Sequence, residues 1–150
     1  RPRTPACFWD TPLGFVCIPL RVYSSSMATR QITTEGFEDV VSEGIVLLDF
    51  WADWCPPCRM FGPVFEKASA AHPDIVFGKV DTEAERSLSA GFGISSIPTL
   101  MAFRDGIIVF SQPGALNASQ LERVITAVKE LDMDDVRAQL AARETEEAAK

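Results

Sequence analysis

The sequence predicts an α/β fold: a central mixed β-sheet flanked by helices on both faces. Three observations carry that reading. Short apolar runs of strand length alternate with helix-period segments from Gln31 to Leu131. Two later runs close on an Arg104-Asp105-Gly106 turn, a hairpin signal that makes part of the sheet antiparallel. The remaining strands are separated by helical segments, which is the pattern of parallel crossovers with helices on both faces.

The elements follow in order. Ile45-Val-Leu-Leu-Asp-Phe50 is short, apolar and bounded, as a buried central strand should be. Cys58–Ala71 reads as a helix with Met60, Phe61, Val64, Phe65 and Ala68 on one face and Pro63 as a kink. Ile75–Val80 is a second buried strand, and Glu83–Ala90 a short helix ended by Gly91 and Gly93. Thr99–Phe103 and Ile107–Ser111 form the hairpin. Asn117-x-x-Gln120 ahead of Leu121, Val124, Ile125 and Val128 is a capping-box start to a further helix. The predicted order is β-α-β-α-β-α-β-β-α.

The ends differ from this region. Residues 1–26 hold four prolines, three arginines, one acid, and both Cys7 and Cys17, with no sustained periodicity. The apolar stretch Leu13–Leu20 is broken by Pro19 and falls far short of the roughly 20 residues that cross a bilayer. It is also a poor signal peptide. The expectation is an N-terminal extension, disordered or not native, with Met27 as the natural start and a domain over 27–131. Residues 132–150 turn to Ala, Glu, Asp and Arg. They read as one more short helix, capped by Asp132 or Asp134 and carrying Val136 and Leu140 on one face, then a frayed acidic end.

Composition excludes several functions. A chain of 150 residues buries roughly 70% of its unfolded surface and needs no metal or disulfide staple. With 21 acidic and 14 basic side chains, the net charge of −7 disfavours both nucleic acid and an anionic membrane surface. Four cysteines are too few for a disulfide scaffold, and one histidine cannot make a histidine-rich metal site.

The chemistry concentrates at Cys55-Pro56-Pro57-Cys58, where the central strand gives way to the long helix. A Cys-x-x-Cys pair can close a small-ring disulfide and reopen it. At a helix N-terminus, unsatisfied N–H groups and the positive dipole end stabilise the thiolate, the nucleophile of disulfide exchange. With Cys55 as N-cap, Pro56 and Pro57 fill the first two helical positions, where an N–H has no intrahelical partner. The Cys58 N–H is then left to donate to the Cys55 sulfur. Zinc is a poor alternative, because Cys7 and Cys17 do not form a second knuckle and His72 sits in a loop.

The segment Trp51-Ala-Asp-Trp54-Cys-Pro-Pro-Cys-Arg-Met-Phe-Gly-Pro63 resembles the thioredoxin active-site segment. Ile97-Pro98-Thr99 and Pro113-Gly114-Ala115-Leu116 resemble two further signatures of that family, in the same order. The resemblance covers about residues 31 to 131 and implies the thioredoxin fold. It also implies a protein-disulfide reductase in which Cys55 is an exposed nucleophile forming a mixed disulfide, and a more buried Cys58 resolves it. Asp49, a carboxylate costly to bury ionised and so raised in pKa, would take the Cys58 proton, with Lys79 matching the family's lysine beside it. Ile97–Pro98 would be cis, and Trp54, Ile97, Pro98 and Gly114 would line an apolar patch for an extended target segment. Trp51 would pack beneath the active-site loop.

The same resemblance implies no bound cofactor, electrons from NADPH through a thioredoxin reductase, disulfide-containing proteins as targets, a monomer, and a cytoplasmic location. Pro56 stands where the family commonly has glycine, and Ser96 and Pro113 replace a glycine and an aliphatic residue of the groove. Two alternatives remain: an exported disulfide oxidase or isomerase, and a redox-independent holdase or scaffold. His72-Pro73-Asp74 reads as a loop, and Asn117-Ala-Ser119 as a helix cap rather than a glycosylation acceptor.

Overall fold

The computed structural model describes residues 28–150, so the expectations for residues 1–26, Met27, Cys7 and Cys17 lie outside it. The elements are β1 (Thr29–Gln31), α1 (Phe37–Val41), β2 (Ile45–Trp51), α2 (Pro56–Ala71), β3 (Val76–Asp81), α3 (Arg86–Gly91), β4 (Thr99–Arg104), β5 (Ile107–Pro113), α4 (Ala118–Glu130) and α5 (Met133–Ala148). The five strands form one sheet in the order β1-β3-β2-β4-β5. The β1–β3 and β3–β2 pairs are parallel, and β2–β4 and β4–β5 antiparallel, giving the mixed sheet the sequence predicts.

Strand alternation sorts the core into two layers. From β2, Leu47 joins Phe77, Leu100 and Ala102 against Phe61, Phe65 and Ala68 of α2 and Leu121, Ile125 and Val128 of α4. Its neighbours Val46, Leu48 and Phe50 face the other way, packing with Phe37 and Val41 of α1 and with Leu88 and Phe92 around α3. Asp49 and Trp51, in phase with Leu47, therefore face the α2 side. Gly78 on β3 is fixed by contact: a Cβ there would stand 2.5 Å from Ile32 Cγ1 and 2.7 Å from Leu48 Cδ2.

Local chemistry sets the ends of the elements. The hairpin turn places Asp105 at φ 52° and Gly106 at φ 82°, the two left-handed positions of a tight two-residue turn. Asn117 caps α4 by a reciprocal pair: its side chain accepts from the Gln120 N–H, and the Gln120 side chain accepts from the Asn117 N–H, each at 2.9 Å. The other end of α4 is held by Arg104, whose Nη1 donates to the carbonyls of Val128 (2.8 Å), Lys129 (3.2 Å) and Leu131 (2.7 Å). A cation at a helix C-terminus meets the negative dipole end as well as the free carbonyls. Arg104→Met is expected to cost about 2 kcal/mol. That loss should appear as a lower urea midpoint at unchanged slope, and an unchanged midpoint would contradict the role.

Three elements differ from expectation. Met60, placed by periodicity on the buried face of α2, is 75% exposed, because the apolar stripe closes on Phe61, Phe65 and Ala68 one position further round. The short helix α3 starts at Arg86 rather than Glu83, since residues 82–84 form a turn in which the Asp81 carboxylate accepts from the Glu83 N–H. The C-terminal segment does not fray early. Asp132 caps it by accepting from the N–H groups of Asp134 and Asp135, and the Ala-, Glu- and Arg-rich helix continues to Ala148 on intrinsic propensity.

Candidate active site

Cys55 follows the end of β2 in an extended conformation and N-caps α2, with Pro56 and Pro57 at the first two helical positions. Its sulfur accepts a hydrogen bond from the Cys58 N–H at 3.2 Å. The two prolines remove the N–H groups that would otherwise point outward first, so Cys58 supplies this donor from the third position. Cys55 and Cys58 are joined by a disulfide, with Cα atoms 5.3 Å apart. The preceding loop is braced by Arg59, whose Nε and Nη2 fork onto the Asp53 carbonyl oxygen at 3.0 and 2.7 Å.

A groove of about 370 Å³ opens over the disulfide, lined by Trp54, Cys55, Pro56, Pro57, Thr82, Ile94, Ser95, Ser96 and Ile97. Ile97–Pro98 is cis, and the Ile97 carbonyl oxygen lies 3.7 Å from Cys55 Sγ. Pro98 itself is buried behind the groove, where its carbonyl accepts from the Gly114 N–H at 2.7 Å. Gly114, at φ 100°, takes a conformation that favours glycine. Trp54 and Ile97 thus line the groove, whereas Pro98, which is buried, and Gly114, which is exposed, are not among its lining residues.

The expected exposure of Cys55 is corrected. Cys55 and Cys58 are almost equally covered, at 2% and 3% exposed. In the oxidised pair each sulfur shields the other, and the groove walls cover Cys55 further. Trp54 stands out at 65% exposed, its Nε1 donating to Glu83 Oε1 at 3.4 Å, and Arg86 in turn pairs with Glu83 at 3.1 Å. Glu83 and Arg59 were not singled out from the sequence, because each acts across a loop whose spacing has no fixed period. The Arg59–Asp53 separation of six residues is longer than any helical neighbour rule reaches.

Beneath the loop lies a buried charge. Asp49 is wholly buried, and Lys79 Nζ approaches its Oδ2 at 3.4 Å. That approach is an ion pair without hydrogen-bond alignment, so neither Asp49 oxygen has a hydrogen-bond partner among the described residues. Burial pushes the carboxyl up to about 6 from its ordinary 3.8, and the Lys79 charge only partly offsets this. Lys79 also lies 4.9 Å from the centre of the Trp51 ring, whose Nε1 is buried and unpartnered among the described residues. The structure therefore gathers Asp49, Lys79 and Trp51 into one group on the α2 side of the sheet. No group of three or more His, Cys, Asp or Glu side chains among the described residues is placed to hold a metal ion.

A disulfide on a helix N-terminus, beside a groove and within 3.7 Å of the Ile97 carbonyl oxygen, defines a thiol–disulfide oxidoreductase site. Comparison with known proteins places that site in a family. Residues 28–127 match the Thioredoxin family profile, and the chain belongs to the thioredoxin family. It is 52% identical over 120 residues to the Streptomyces coelicolor sequence that carries the name thioredoxin 2, covering 79% of this chain and 90% of that one. It is 38% identical over 95 residues to thioredoxin of Chlamydia muridarum, covering 63% of this chain and 93% of the relative. The structure of Malassezia sympodialis thioredoxin superposes with a TM-score of 0.61 at 36% identity, over 66% of this chain and 89% of that one. Thiol–disulfide exchange through the Cys55–Cys58 pair is thus the activity of this chain, and the protein is a protein-disulfide oxidoreductase.

Proposed function

We propose that the protein works as a reductase of disulfide bonds in other proteins. The observation that carries this reading is the Cys55 sulfur, capping α2 and accepting from the Cys58 N–H on the floor of an open groove. In the reduced protein, the same donor and the helix dipole favour the Cys55 thiolate. That thiolate attacks one sulfur of a target disulfide; the target S–S bond breaks and its other sulfur leaves as a thiolate that takes a proton from solvent. The Cys58 thiol then gives its proton to Asp49 and attacks the Cys55 sulfur, releasing the second target thiolate. Two electrons pass to the target, and the Cys55–Cys58 disulfide remains.

Supporting roles follow from placement. Pro56 and Pro57 stiffen the start of α2, Lys79 moderates the Asp49 charge, and Trp51 packs under the loop. Trp54 and Ile97 meet the target segment, Ile97 through the carbonyl beside Cys55, while Pro98 and Gly114 support that part of the chain. Re-reduction needs a dithiol donor, and we assign it to a thioredoxin reductase that draws electrons from NADPH. The chain itself would work as a monomer, without a bound cofactor, in the cytoplasm, where dithiols are kept reduced.

The test is a coupled assay with NADPH, a bacterial thioredoxin reductase and insulin, together with the midpoint potential of Cys55–Cys58. Insulin-dependent NADPH oxidation and a midpoint near the roughly −270 mV of reducing members of this class are expected. A midpoint near the roughly −120 mV of strong oxidants would point instead to an exported oxidase. Binding that survives alkylation of both thiols, without electron transfer, would favour a scaffold.

A further inference from the structure

We propose that Met60 is a target-docking residue, extending the contact surface from the groove onto the exposed side of α2 and receiving an apolar side chain that flanks the target's disulfide. The inference rests on the reductase reading above and names a contact that reading does not contain.

Four large hydrophobic side chains are strongly exposed among the described residues: Trp54 (65%), Met60 (75%), Ile108 (45%) and Leu140 (37%). The two most exposed bracket Cys55 and Cys58 in the chain, one on each side. Met60 lies three and four residues after Pro57 and Pro56, so the three share one face of α2. Long helical side chains lean toward the helix N-terminus, which carries the Met60 thioether over the turn holding the two prolines. Those prolines are exposed and line the groove, whereas Met60 does not. Trp54, Pro56 and Pro57 therefore give the groove an apolar wall, and Met60 stands one helical turn beyond the two prolines on the same face of α2.

Packing does not account for Met60. The core beneath α2 is closed by Phe61, Phe65 and Ala68. Charged neighbours on the exposed side, such as Arg59 and Lys67, illustrate that this side of the helix accepts polar residues. Exposed apolar surface beside a reactive centre marks a contact site, and an unbranched thioether adapts to partners of different shape. Its occupant is then an apolar side chain on a folded target, a group that a small disulfide lacks.

The experiment compares wild type, Met60→Gln and Met60→Leu, with NADPH and a bacterial thioredoxin reductase as the electron source, because free dithiothreitol would reduce the small disulfide directly. One substrate is insulin and the other is dithiobis(nitrobenzoate). Because Met60 is exposed, both variants should fold. Met60→Gln should raise KM for insulin about fivefold at unchanged kcat, while Met60→Leu stays within about twofold. Neither variant should change turnover of the small disulfide or the Cys55–Cys58 midpoint potential. Wild-type KM for insulin in Met60→Gln would overturn the proposal, and so would an equal loss on both substrates. A wild-type chain that reduces no insulin is a distinct result: it would overturn the reductase reading, and the Met60 role with it.

Discussion

Replacing Cys55 with serine is expected to reduce insulin reduction by about a thousandfold or more, to the rate of dithiothreitol alone. The physical reason is the attacking atom. One backbone N–H at 3.2 Å and the end of a 16-residue helix both favour a thiolate over a thiol. They cannot bring a serine hydroxyl, several pKa units more basic, to the same ionised fraction. Overall stability should barely change in the reduced protein, because serine also caps helices well. Loss of activity with retained unfolding midpoint is therefore the expected pair of results. Activity surviving in Cys55→Ser would remove Cys55 from the first step.

The second large effect concerns Asp49. Its folded-state pKa of about 6 lies above the ordinary 3.8, and the main cause is burial. Between those values the folded chain binds more protons than the unfolded chain, so stability falls as pH rises. The contribution is fully present below 3.8 and is lost as pH passes through about 6. At about 1.4 kcal/mol per pKa unit, the difference amounts to roughly 3 kcal/mol. Asp49→Asn has no such titration, so its stability relative to wild type should rise by most of that amount between about pH 4 and about pH 8. Urea unfolding of both proteins at the two pH values measures it, and parallel pH dependence would contradict the buried-charge account.

The same ionisation sets the proposed resolving step. Above about pH 6 the Asp49 carboxylate can accept the Cys58 proton. Asp49→Asn should then slow release of the mixed disulfide on the order of a hundredfold, the usual scale for a lost general base. In wild type the step should weaken as pH falls below about 6. A resolution rate in the variant equal to wild type at neutral pH would leave Asp49 a purely structural residue.

Much of this site is legible in the sequence because its determinants are local. The apolar run ending at Phe50, the cap at Cys55 and the two prolines obey short-range rules: β2 begins at Ile45 as expected, and α2 begins at Pro56 directly after its cap, two residues before the Cys58 start that its apolar period gives. The Asn117–Gln120 capping box and the Asp105-Gly106 turn are equally local. The cis Ile97–Pro98 bond came only from family resemblance, since no local signal marks it.

What the sequence pattern does not show depends on partners distant in the chain. Met60 fits the apolar period of α2, but the stripe that meets the sheet is narrower than the pattern, and Met60 falls outside it. Arg104 closes α4 from a strand more than twenty residues earlier in the chain. Glu83 reaches Trp54 only once β3 has been laid beside β2. The length of α5 exceeds the short helix expected for another reason: its second half has no buried stripe, and helix-favouring composition carries it to Ala148.

The central claim is that Cys55 attacks and Cys58 resolves, and trapping the intermediate tests it most directly. Cys58→Ser protein, reduced and mixed with a disulfide-bonded target, should accumulate a covalent adduct through Cys55, seen as one mass species that dithiothreitol removes. Cys55→Ser protein treated alike should form none. An adduct through Cys58 in the Cys55→Ser protein, with none through Cys55 in the Cys58→Ser protein, would contradict the assignment.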